Sequence, residues 1–179
     1  MTELAFLELQ QAQQRHDQQY HPDIIALGTI GRLKHMALHN AKYAARFASA
    51  LEEGDQGAFE RAMVDSFIIS LSTANVLTFD LSSAIREGKG KESSGSNKSD
   101  FAYCYLQEVG LMAKACESVD HLEDFPFRPK IAEANLSIVR LLVAEAARRG
   151  IDLAESFADR LNQVEANSGF SMFVEQHKD

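Results

Sequence analysis

The chain has no tryptophan, and only 3 prolines, 10 glycines and 2 cysteines stand among its 179 residues. So few turn-formers leave little room for a many-stranded β architecture, whose hairpins and corners need Gly and Pro at short intervals. Cys104 and Cys116 lack the spacing of a metal or redox motif, so they read as reduced thiols in a cytoplasmic protein. There is no long basic run, and a net charge of −8 argues against a nucleic-acid partner, because neutralising phosphates takes clustered Lys and Arg. Nor is there a long apolar run. The opening MTELAFLELQQAQQRHDQQY has neither the basic start and apolar stretch of a signal peptide nor the length of a membrane span. What is present, 45% hydrophobic and 25% charged residues, suits one all-α domain spanning 1–179.

Helical periodicity runs through most of the chain. Residues 2 to 19 form an amphipathic pattern with Leu4, Phe6, Leu7 and Leu9 near its start and glutamines later, as in a lid or packing helix. After His21-Pro22-Asp23, one long helix is expected from Ile24 to about Leu51, with Ile30, Leu33, Ala37, Ala41, Ala44 and Ala48 on a core stripe. A third, from Gly57 to Leu81, is apolar around most of its circumference and should be the most buried. Gly88 to Asp100, GKGKESSGSNKSD, reads as a flexible linker. It lacks the spacing of a phosphate loop. A helix from Phe101 to about Val119 follows, then a rigid Phe125-Pro126-Phe127-Arg128-Pro129 loop.

The best-formed stretch is Pro129 to Asn167. Pro129 suits a first helical position, Arg148-Arg149-Gly150 marks a C-terminus, and Asp152 with Glu155 three residues on has the form of a capping box. An offset of 72 residues lays Phe79-Asp80-Leu81 over Ile151-Asp152-Leu153, which suggests two halves, about 22–87 and 101–167. Two such hairpins, each with an apolar face, bury those faces by packing into a four-helix bundle.

Two features carry the chemistry. Asp65 lies on the apolar helix in line with Ile69, Ser72 and Val76, so it must be ion-paired, hydrogen-bonded or bound to a metal. Arg32, His35, His39, Lys42 and Arg46 form a basic stripe at steps of three and four. That stripe is open to three readings: a solvated helix face, a phosphate-binding face, or a transition-metal site in which His35 and His39 take Asp65 as third ligand. Glu117, Asp120 and Glu133 read first as surface acids.

Three segments bring a family into view. Glu108-Val109-Gly110-Leu111-Met112-Ala113-Lys114-Ala115 resembles the first metal-binding segment of the MazG-like all-α nucleotide pyrophosphohydrolases, with Leu111 and Lys114 where acids are expected. Arg61 through Ile69 resembles the second segment, keeping Asp65 but carrying Ala62 in place of a glutamate, and Leu142 through Leu153 resembles the helix exit. The resemblance implies a MazG-like bundle that hydrolyses a nucleoside triphosphate to monophosphate and pyrophosphate with Mg2+ or Mn2+. Glu108, Asp65 and Glu133 would then hold the metal, and Arg32, His35, His39, Lys42 and Lys114 the nucleotide. A homodimer is compatible with it. Magnesium wants near-octahedral oxygen ligands, so the replaced acids point equally to a degenerate relative that binds nucleotide or a protein partner without turnover.

Overall fold

The computed structural model describes residues 6–88 and 98–166, with side chains of the second stretch from residue 101 onward. Every described element is a helix: α1 (Phe6–Tyr20), α2 (Pro22–Ile25), α3 (Thr29–Glu53), α4 (Gln56–Leu77), α5 (Leu81–Arg86), α6 (Lys98–Asp120), α7 (Phe127–Arg149) and α8 (Leu153–Ala166). Among the described residues no helix is long and apolar enough to cross a membrane.

The four long helices form a bundle in which α3 packs on α4 and α6, and α7 closes the ring by packing on the same two. Residue pairs across each seam fix the directions. Lys34 meets Asp120, Phe47 meets Phe101, Asn135 donates to Ser70 O and Arg128 donates to Leu77 O, so α3 runs antiparallel to α6 and α4 to α7. It follows that α4 and α6 run the same way at opposite corners. Residues 89–97, most of the expected linker, lie outside the described residues.

Burial follows the expected pattern in α4, where Phe59, Met63, Phe67 and Leu71 are all at most 2% exposed. Phe47, Phe59, Phe101 and Tyr105 make one aromatic cluster, with ring centroids 4.9–6.0 Å apart. α1 packs on α4 through Phe6, buried with its ring centroid 6.2 Å from that of Phe67, and through polar contacts further along. Leu7 is 51% exposed, while buried Gln10 donates to Asn75 Oδ1 and Phe79 O and accepts from Leu81 N.

Four boundaries differ from expectation, one of them being α6, which begins at Lys98, inside the segment expected to be linker to Asp100. The helix expected from Ile24 to Leu51 is broken after Ile25, and α3 starts anew beyond Gly28, whose extended backbone (ψ 164°) presents its carbonyl to Arg32 N. Pro129 sits three residues into α7, not at its first position. It is tolerated because the first four helical N–H groups have no intrahelical partner anyway. The helix expected to reach Leu81 ends at Leu77: Thr78 turns left-handed (φ 54°), Phe79 N donates to Ala74 O at 2.8 Å and Thr78 N to Asn75 O at 3.1 Å. That is a Schellman exit.

The same exit stands 72 residues on. Gly150 has φ 71°, Ile151 N donates to Ala146 O at 2.9 Å and Gly150 N to Ala147 O at 3.2 Å. Asp80 then caps α5 through Ser83 N, and Asp152 caps α8 through Ala154 N and Glu155 N.

Candidate functional site

Asp65 projects from α4 toward α3 and α8, with its side chain 12% exposed. Arg160 of α8 reaches it with two nitrogens: Nε donates to Oδ1 at 2.7 Å and a terminal nitrogen approaches Oδ2 at 3.4 Å. Arg46 of α3 stands 3.8 Å from Oδ2. The hydrogen bond to Asp65 raises the pKa of Arg160 further above its ordinary range. Of the three fates open to a buried carboxylate, Asp65 takes ion pairing.

Beside this pair lies the middle of the basic stripe. The rings of His35 and His39 are 4.5 Å apart, and Lys42 Nζ stands 3.1 Å from His39 Nδ1. Lys42 and Arg46 also lie over the buried Tyr43 ring, at 4.6 and 5.7 Å from its centroid. Burial, with Lys42 and His35 alongside, lowers the pKa of His39 to about 4. Burial and Arg46 lower that of Lys42, while burial and the nearby Asp65 raise that of Tyr43 to about 12. Asp65 is the single anion among the groups acting on His39, against three cationic or basic neighbours. The local field therefore favours negative charge.

The other expected residues stand elsewhere. Arg32 is half-buried at the start of α3, where its Nε has no hydrogen-bond partner among the described residues. Glu108 is half-buried on α6, at the corner opposite α4. Lys114, also on α6, is exposed and held by Glu117 and Glu123 at 3.1 and 3.0 Å. Glu133 is an exposed residue of α7 bonded to Lys130 at 2.7 Å, on the rim of an apolar cleft of about 360 Å3 that includes Leu77, Phe79 and Leu136.

Among the described residues no three His, Cys, Asp or Glu side chains are grouped so as to share a metal ion. Glu108, Asp65 and Glu133 thus do not make a common donor set, nor does Asp65 join His35 and His39 in one. Magnesium needs several oxygens around one point, and this arrangement of acids does not fit it. Both cysteines are free thiols, and burial pushes the Cys116 thiol pKa up, away from reactivity.

Two participants have no signal in the sequence. Tyr43 belongs to no motif there, and Arg160 lies 95 residues from its partner on a helix whose placement no local pattern specifies. Arg160 also borders a polar cleft of about 230 Å3 between α4 and α8, shared with Arg61 and Gln163. No family model, curated protein or solved structure matches the chain.

Proposed function

We propose that the protein is a degenerate, non-hydrolytic relative of the MazG-like bundles that binds a phosphate-bearing ligand on its α3–α8 face. The observation that carries this reading is the pairing of Asp65 with Arg160 and Arg46 beneath His35, His39 and Lys42. An acid in a metal centre should face other acids; this one is surrounded by cations. Burial lowers the pKa values of Lys42 and His39 and cationic neighbours lower them further; Lys42, Arg46 and Arg160 together outnumber Asp65, so a bound polyphosphate would relieve that repulsion. The matching exits at Thr78 and Gly150 support the duplicated-hairpin architecture that the 72-residue offset suggests. They leave hydrolysis resting on architecture alone, and architecture does not specify a reaction.

Calorimetric titration with inorganic triphosphate and ATP, and pyrophosphate release with Mg2+ or Mn2+, test the proposal together. Binding without release is expected, and the exposed Lys42→Ala variant should bind roughly 10-fold more weakly, for the loss of one charge-assisted contact. Metal-dependent release abolished by Glu108→Gln would restore the hydrolase reading. Failure of the unaltered protein to bind triphosphate would overturn the anion site.

A further inference from the structure

The apolar cleft with Glu133 on its rim lies between the C-terminal end of α4 and the first turns of α7. A helix exit builds it. The left-handed backbone at Thr78 turns the chain out of α4, so that Leu77 and Phe79 line one side while Ala132 and Leu136 of α7 line the other. Leu77 and Leu136 belong to the core, at 8% and 3% exposed, and Phe79 and Ala132 are partly buried against it. The space they enclose is about 360 Å3. Small-molecule sites occupy roughly 300–1,000 Å3 and are lined mostly by apolar side chains, with a few polar groups that fix orientation.

The polar group here is Arg128, exposed in the first turn of α7. One terminal nitrogen donates to Leu77 O at 3.3 Å, a long bond to a carbonyl that Thr78 Oγ1 already reaches at 2.6 Å. The guanidinium has further N–H donors, and among the described residues no carboxylate pairs with it. The other two charges nearby are spent on each other, since Lys130 holds Glu133 at 2.7 Å.

We infer that this cleft binds a small carboxylic acid with an apolar body, its tail on Leu77, Phe79 and Leu136 and its carboxylate on Arg128. The walls select the tail by removing apolar area from water. The one unspent cation selects a single negative charge, because a planar guanidinium can take a carboxylate with two parallel hydrogen bonds. A protein partner, burying ~800 Å2 on each side, would have to extend far beyond a space of this size.

Titration of the isotope-labelled full chain with octanoate, followed by nuclear magnetic resonance, tests this. Saturable shifts centred on Phe79, Ala132 and Leu136 are expected, with octylammonium binding at least ~10-fold more weakly. Arg128→Gln should weaken octanoate roughly 10-fold through loss of the charge-assisted pair, and Arg128→Glu should turn the preference toward octylammonium. Arg128 is exposed, so circular dichroism should show helicity retained in both variants. Ala132→Phe, which puts a ring into the cleft, should abolish binding. Absence of a saturable shift at these residues, or octanoate binding indifferent to the Arg128 substitutions, would overturn the inference.

Discussion

His39 is neutral at physiological pH because it is half-buried between Lys42 and His35. Its folded pKa of about 4 lies below the ordinary 6.5, so at pH between these values the unfolded chain binds the extra proton and the folded chain does not. Stability contributed by this residue is therefore complete above pH 6.5 and is lost as pH falls toward 4. His39→Gln should flatten that limb, measured as the difference in denaturation midpoint between pH 7 and pH 5; an unchanged slope would show that other groups carry it. Only half of this was legible in advance. The i, i+4 spacing of His35 and His39 puts both rings on one face whatever else happens, but the neutral state of His39 depends on how deeply that face is buried. The expected metal role for the pair needed a third donor, and Asp65, the nearest acid, is engaged by Arg160.

At the scale of helices, the two exits 72 residues apart invite a direct comparison, because the left-handed position is Gly150 in one and Thr78 in the other. A β-branched residue in this conformation costs roughly 1–2 kcal/mol, and glycine adds about 0.5–1 kcal/mol of unfolded-state entropy. The steric cost outweighs the entropic one. Thr78→Gly should accordingly stabilise the protein by roughly 0.5–1 kcal/mol, even though Thr78 Oγ1 gives up its bond to Leu77 O. Chemical denaturation reads this out, and a destabilised variant would mean that the hydroxyl, not the backbone, holds the exit. Exits of this kind are partly visible in sequence. Gly150 after two arginines announced its helix end, whereas Thr78 carries no such signal and the helix was expected to continue to Leu81. Asp80 and Asp152, by contrast, cap because a short carboxylate before an apolar run can accept the free N–H groups wherever the helix is placed.

For the molecule as a whole, the bundle is tied together by a buried polar relay as well as by its apolar core. Tyr105 of α6 donates to Asn40 Oδ1 of α3 at 2.8 Å and shares a hydrogen bond of 2.7 Å with Ser66 of α4, and all three residues are buried. Burial drives the Tyr105 pKa far upward, so the hydroxyl stays protonated. Tyr105→Phe keeps the ring packing against Phe47 and Phe101 but strands Asn40 and Ser66, and should cost about 1–3 kcal/mol. A loss below ~0.5 kcal/mol in thermal or denaturant unfolding would mean that the two groups find other partners.

From the residues alone it follows that the chain is helical, where most of its long helices lie, that the helix bearing Phe67 is buried, and that Asp152 begins the last described helix. Each of these depends on neighbours within a turn or two, through side-chain periodicity and the unmet hydrogen bonds of helix ends. What Asp65 meets depends instead on how the helices pack. Periodicity marks the face on which an acid stands but is silent about which helices occupy the adjoining corners, and packing in three dimensions brought Arg160 to Asp65 across 95 residues while leaving Glu108 at the opposite corner of the bundle.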